Sequence, residues 1–337
     1  MNIYDISHLA GVSIATVSRV INGSDRVSEK TRKNVLRVME ENGYTPNAFA
    51  RGLGLDTMRT IGLLCADASD PYLALAVNEL EQHLRQNGYD CLLCCTGYSP
   101  REKEQALKLL QSKRVDGVIF VGSHFIESDA GKNAYILDAA REMPVMLLGG
   151  ELEGGNIYCT LCDEGKAMEK CVRRFAENGR EKILYLYNSM SYSGRHKLAG
   201  YKAAHRALGL EIDPARIKML DAYQFDVNQV RQMLCQAYDE GLRFDAILTA
   251  DDRLAVGGIK FAKARALRIP QDVAIIGCNN SAIARYCDPE LTSIDNRLMD
   301  LCRQCVGTLM TVLDGEAAAQ RTVFEASLVQ RETTDFQ

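Results

Sequence analysis

The chain has 337 residues, 47% of them hydrophobic and 25% charged, and 40 Lys and Arg against 44 Asp and Glu give a formal net charge of −4. That length has room for two or three domains with sizeable cores. No apolar run reaches the roughly 20 residues of a membrane-spanning helix and no secretory leader is present, so a cytoplasmic protein with no membrane partner is expected.

In chain order, the first pattern is a pair of short helices separated by the turn Ala10-Gly11-Val12-Ser13. Asn2 is the N-cap of the first, with Asp5 three residues on and Ile6, Leu9 and Ala10 on one face. Ser13 is the N-cap of the second, where Val17, Val20 and Ile21 form the inward stripe. Ile14, Ala15, Ser18, Arg19 and Asn22 then point outward. Small residues with one arginine suit close entry into a DNA major groove, because bulky side chains would hold the helix off the base edges.

A third helix follows the Ser28 cap, with Val35, Val38 and Met39 returning to the same core, and it stops at Asn42-Gly43. Pro46 can open one more short helix from Thr45, too short to persist alone and weakened further by Gly52. Residues 1–60 carry eight Lys or Arg against six acids, a net of +2 that leaves −6 for the remainder. Nucleic-acid affinity is therefore expected in the N-terminal unit and not in the acidic body.

Beyond residue 60, apolar runs 61–65, 91–95, 118–121 and 145–148 read as buried parallel strands, alternating with helical stretches near 72–87, 101–113 and 133–142. The rhythm restarts after the glycine-rich stretch 149–155, with helices near 164–178, 194–208, 227–240, 253–267 and 297–313 and strands near 183–187, 246–249, 273–277 and 322–329. Two successive α/β units suggest two lobes whose cleft lies at the carboxyl ends of their strands, where open parallel sheets bind ligands. No solenoid-length repeat or low-complexity tract interrupts them.

Polar or aromatic residues just after strand ends are the candidates for that cleft. Ser69, Asp70 and Tyr72 follow the first strand, although either Ser69 or Asp70 can simply cap the helix that opens at Pro71. Ser123, His124 and Phe125 follow the third.

Twelve cysteines include three C-x-x-C spacings, Cys91/Cys94, Cys159/Cys162 and Cys302/Cys305. Residues three apart on a strand face opposite ways, and Cys302/Cys305 offer two ligands with no histidine nearby to complete a set. Buried free thiols are expected, with no metal. No phosphate loop, nucleophile–base pairing or cofactor motif accompanies Arg195, Asp251 and Asp252, so an enzyme reading has little to stand on.

The succession GVSIATVSRVING, VSEKTRKNV and NGYTPNAFARGL resembles the headpiece of the lactose-repressor (LacI/GalR-type) family of bacterial transcription regulators. The likeness continues, more weakly, to the C-terminus. It implies an all-α helix-turn-helix headpiece with hinge helix (1–57, hinge about 46–54) and a periplasmic-binding-protein-like core (60–337) of two doubly wound parallel-sheet lobes. Crossovers near 160, 290 and 321 would give the N-lobe 60–160 and 291–321, and the C-lobe 161–290 and 322–337.

Residue by residue, the resemblance implies base reading by Ile14, Ala15 and Arg19. It implies phosphate and backbone contacts from Tyr4, Thr16, Ser18, Asn22, Ser28, Thr31, Tyr44 and Asn47, and a minor-groove wedge at Leu53. Ser13, Ala48 and Arg51 complete the DNA-binding set. An apolar wedge from each subunit can kink a flexible step such as CG. In the cleft it implies effector contacts from Arg195, Tyr223, Asp251 and Asn279, whereas Asp252 reads as a structural helix cap. Two departures stand out: Gly149 sits where many sugar-responsive members carry an acid, and Asn279 is neutral where an acid is common.

The function so implied is repression from a pseudo-palindromic double-stranded DNA operator with a central CG, by a homodimer, under a sugar-like effector whose sign of coupling is open. A nucleoside or purine corepressor is the alternative. A transport-type binding protein, the reading from another class, would need an export signal and would have no use for residues 1–57. The chain ends without a leucine-heptad tail, so assembly beyond a dimer is not expected.

Overall fold

The computed structural model describes residues 1–21, 23–44, 57–220 and 225–336. Three helices open it: α1 (Ile3–Ala10), α2 (Ile14–Ile21) and α3 (Glu29–Glu41). Asn2 and Asp5 form a reciprocal capping box on α1, and Gly11 closes it at φ +65, a conformation that favours glycine. Ile6, Ala10, Val17, Val20, Val35, Val38 and Met39 make a small shared core, and the Asn34 side-chain amide donates to the Ala10 carbonyl at 2.9 Å, tying α3 to the end of α1. Leu9, expected inside, is 52% exposed. Ile6 and Ala10, one turn apart, already fill the space between three short helices.

Two six-stranded sheets follow. The first comprises β1 (Thr60–Cys65), β2 (Asp90–Cys95), β3 (Gly117–Val121), β4 (Val145–Leu148), β5 (Ile157–Cys162) and β11 (Arg321–Phe324), in the spatial order 11-5-4-3-1-2. On one face lie α4 (Pro71–Gln86) and α12 (Leu298–Leu313), and on the other α5 (Pro100–Ser112) and α6 (Ala134–Ala139).

The second sheet comprises β6 (Ile183–Tyr187), β7 (Ile217–Met219), β8 (Ala246–Thr249), β9 (Ala274–Cys278), β10 (Thr292–Asp295) and β12 (Ser327–Val329), in the order 12-10-9-8-6-7, with β12 antiparallel to β10. Its helices are α7 (Glu164–Glu177), α8 (Tyr192–Leu208), α9 (Val227–Asp239), α10 (Asp252–Ala264) and the short α11 (Ala282–Tyr286). This is the α/β class the sequence implies. In each sheet the strand order reverses beside the opening strand, which leaves a crevice at the carboxyl ends.

Three expectations need correction. Residues 91–95 are not buried: β2 is an edge strand with Leu92 and Leu93 about two-fifths exposed. Residues 292–295, assigned to the N-lobe, pair with β9 in the second sheet, and residues 322–324, assigned to the C-lobe, pair with β5 in the first. A strand is held along its length by its ladder, so the chain changes lobe in the loops after β5, β10 and β11 and not within them. Among the described residues, no helix is long and apolar enough to cross a membrane, and the twelve cysteines are free thiols.

Candidate functional site

The outward face of α2 presents Ile14, Ala15 and Arg19 to solvent, as do Tyr4 on α1 and the caps Ser13 and Ser28. Ser13 Oγ accepts from the Thr16 backbone N–H at 3.2 Å and lies 2.9 Å from its hydroxyl, and Ser28 and Thr31 repeat the arrangement at 3.3 and 2.9 Å. Two helix N-termini thus each pair an exposed serine hydroxyl with a half-buried threonine one, a geometry suited to backbone phosphates. Ser18, Thr16, Thr31 and Tyr44 are half-buried, Tyr44 against the small core. Asn22, Asn47, Ala48, Arg51 and Leu53, with the expected hinge helix, lie outside the described residues.

Between the carboxyl ends of the two sheets is a cavity of about 290 Å³, near the lower end of small-molecule sites. Lys197 on α8 is buried on its floor. Its Nζ donates to the Ala250 carbonyl at 3.0 Å and pairs with Glu164 Oε1 at 3.1 Å, while Glu164 Oε2 accepts from the Ser193 hydroxyl. Burial works against the ammonium, but Cys278 and Glu164 outweigh it and hold the Lys197 pKa well above the ordinary lysine value.

At the mouth, Arg253 lies between two helix-capping carboxylates. Asp70 Oδ1 accepts from the backbone N–H groups of Tyr72 and Leu73, and its Oδ2 is 3.1 Å from the Arg253 guanidinium. Asp251 Oδ1 accepts from the Leu254 N–H, and its Oδ2 is 3.4 Å from the same guanidinium, which also covers the Phe225 ring at 5.0 Å. Across the cavity, Glu151 accepts from the Tyr192 hydroxyl at 2.7 Å and pairs with Arg321 at 2.6 Å. Burial opposes its charge, yet these two partners bring its pKa below the usual carboxylate value.

Asn279 follows β9 at φ +101, a strained conformation that asparagine tolerates better than most residues. Its Oδ1 accepts from Asn296 Nδ2 at 3.2 Å, and that amide also donates to the Tyr72 hydroxyl at 2.9 Å. Asn296 lines the cavity and is 2% exposed, and its own Oδ1 has no hydrogen-bond partner among the described residues. A buried acceptor in a ligand-sized space calls for a donor. Burial and the charge of Lys103 lower the His124 pKa to about 4, so the ring is neutral.

Asp70, Tyr72, Asp251 and Asn279 therefore line the cavity as expected from the sequence, whereas Ser69, Phe125 and Arg195 do not. The Ser69 hydroxyl bonds Asp67 at 2.7 Å in the turn before α4. Phe125 is fully buried against Phe120 at 5.1 Å. Arg195 turns away to the Met190 carbonyl at 2.8 Å, because residues 195 and 197 are about 200° apart on a helix and only one can face inward. Lys197 takes that place. Tyr223 lies outside the described residues. Asp251, not Asp252, is the N-cap of α10, and Asp252 binds Ser281 and Ser293 instead. Gly149 brings no carboxylate, but Glu151 does. Sequence reasoning missed Lys197, Glu164, Arg253, Asn296, Glu151 and Tyr192.

Residues 2–47 match bacterial regulatory proteins of the lacI family, and residues 172–334 match the periplasmic binding protein-like domain. Over 336 residues, covering 100% of both chains, the sequence is 54% identical to an HTH-type transcriptional regulator of Lachnoclostridium phytofermentans. In fold it is similar to the lac repressor dimer bound to operator and the anti-inducer ONPF, with TM-score 0.87, 23% identity, and 99% of this chain and 98% of that one covered. A complex of the transcriptional regulator CelR with cellobiose aligns with TM-score 0.71 and 27% identity, over 99% of this chain and 100% of that one.

Proposed function

The chain belongs to the lacI family of bacterial regulatory proteins, as a DNA-binding transcriptional regulator and not an enzyme, and we propose that it is a repressor acting as a homodimer on a pseudo-palindromic operator. In this reading residues 1–57 form the DNA-binding unit, with Ile14, Ala15 and Arg19 reading bases, and a sugar-like small molecule in the cleft shifts the balance between DNA-competent and incompetent arrangements.

The observation that carries it is the polar cavity at the carboxyl ends of both sheets, joined in one chain to an exposed helix face of Ile14, Ala15 and Arg19. Support for the dimer comes from the first lobe's edge. Leu73, Ala76, Leu80 and Leu84 of α4 are buried in the core, but Leu75 with Leu92 and Leu93 of β2 remains about two-fifths exposed. An open sheet edge with exposed leucines is a surface that a second copy would cover.

The test is fluorescence-anisotropy titration of a central-CG pseudo-palindrome and a scrambled duplex at one salt concentration, with free sugars and nucleosides added in turn. Tight binding to the first duplex alone, altered by one class of compound, is expected. Arg19→Ala should weaken the selective complex by about 1–3 kcal/mol and leave the scrambled duplex nearly unaffected. Equal losses on both duplexes would mean that Arg19 contacts only phosphate.

A further inference from the structure

We infer that the cleft takes an uncharged, hydroxyl-bearing ligand and rejects molecules carrying phosphate or carboxylate groups, because each lysine and arginine among the described residues that line it is already engaged by a carboxylate of the protein. This inference rests on the reading of the cleft as the effector site.

Among the described residues, five carboxylates line the cavity, Asp70, Glu151, Asp163, Glu164 and Asp251, against the three cations Lys197, Arg253 and Arg321. Their pairing is specific. Lys197 is held by Glu164 at 3.1 Å, Arg253 by Asp70 at 3.1 Å and Asp251 at 3.4 Å, and Arg321 by Glu151 at 2.6 Å. An entering oxyanion would have to displace a carboxylate that sits on a helix N-terminus, in the case of Asp70 and Asp251, or is held by a second donor, in the case of Glu151 and Glu164. It would also enter a site with a formal excess of two negative charges, where repulsion is weakly screened.

The groups left over suit neutral donors. Asn296 Oδ1 is a buried acceptor with no partner among the described residues, and the neutral His124 ring adds no cation to the site. A ligand hydroxyl can donate to the amide oxygen without disturbing any ion pair.

The experiment is calorimetric titration of the full chain with inorganic phosphate and glucose 6-phosphate, comparing wild type with the double variant Asp70→Asn/Glu151→Gln. Asparagine still caps α4 and glutamine still accepts from Tyr192, so the change frees Arg321 of Glu151 and leaves Arg253 only its longer contact to Asp251. Wild type should not saturate with either probe, and the double variant should bind phosphate at least about tenfold more tightly. Saturable wild-type binding that Arg253→Gln abolishes would overturn the inference. So would a folded double variant that gains no phosphate affinity, since Arg321, freed of Glu151, would then still not take the anion. The titration reads charge selectivity whether or not any compound alters DNA binding, so the effector reading and this inference fail separately.

Discussion

The Asp252 carboxylate, 2% exposed, accepts from the Ser281 N–H and hydroxyl at 2.8 and 2.7 Å and from the Ser293 hydroxyl at 2.6 Å. Burial still wins and lifts its pKa to about 6. Between its ordinary value and 6 the folded chain therefore binds more protons than the unfolded one. Stability then falls as pH rises through that window and is flat above it, by an amount on the order of 3 kcal/mol. Asp252→Asn should remove this decline while keeping the site paired, its carbonyl accepting from Ser281 and its amide donating to Ser293. Urea unfolding of the two proteins from pH 4 to 7 checks it, and parallel pH profiles would count against it. Sequence alone placed Asp252 on a cap because adjacent aspartates before a helix both fit that role, and only the backbone decides between them. Lys197 was more legible than it looked. Gly194, Lys197, Tyr201 and Ala204 recur at helical spacing on the buried face of α8, and a lysine in such a stripe needs a buried partner. Arg195, two residues earlier, lies on the other face, at the Met190 carbonyl.

Helices α7 and α8 meet through glycines, and that contact sets the floor of the cleft. A Cβ on Gly200 would lie 2.1 Å from the Gly165 carbonyl oxygen, closer than any side-chain carbon can approach backbone. Gly165 follows Glu164, and Gly200 lies three residues after Lys197, so the close crossing also brings that ion pair together. Gly200→Ala should push the helices apart and destabilise the chain by about 1–3 kcal/mol or more. Gly307 on α12 is the control: nothing lies within 4 Å of its Cβ position, and Gly307→Ala should gain about 0.5–1 kcal/mol from helix propensity. Chemical-denaturation midpoints compare the two, and equal small effects would show that the crossing relaxes freely. The alternation of strands and helices was legible because apolar runs of four to six residues between amphipathic stretches have few other solutions. The place of β2 was not. Cys-Leu-Leu-Cys-Cys is apolar whether its strand is central or at an edge, and the spatial order of strands is a property of the whole sheet.

Among the described residues, the lobes are joined across the cleft by Asp70 to Arg253 at 3.1 Å, Ser123 to Ser191 at 2.9 Å and Glu151 to Tyr192 at 2.7 Å, and by Asn296, whose amide bonds both Tyr72 and Asn279. None was legible in the sequence. Each links residues far apart in the chain, and a capping aspartate shows nothing of what its second oxygen will meet. Of these, Asp70 to Arg253 is the contact that joins opposite charges, and the guanidinium's two carboxylate distances make Arg253 a clasp between an N-cap of each lobe. Its side chains are about a quarter exposed, so solvent screening limits the pair to roughly 0–1 kcal/mol. That is still enough to shift a balance between open and closed lobes severalfold, since two arrangements a few kcal/mol apart respond to small differences. Asp70→Asn and Arg253→Gln should therefore each raise the radius of gyration of the ligand-free chain in small-angle X-ray scattering. The double variant should go no further than either single one, because both remove the same contact. High salt should move wild type toward the variants and leave the variants unmoved. If both single variants keep the wild-type radius, Ser123–Ser191, Glu151–Tyr192 and the Asn296 bridge hold the lobes without help, and Arg253 serves only to neutralise the two caps it lies between.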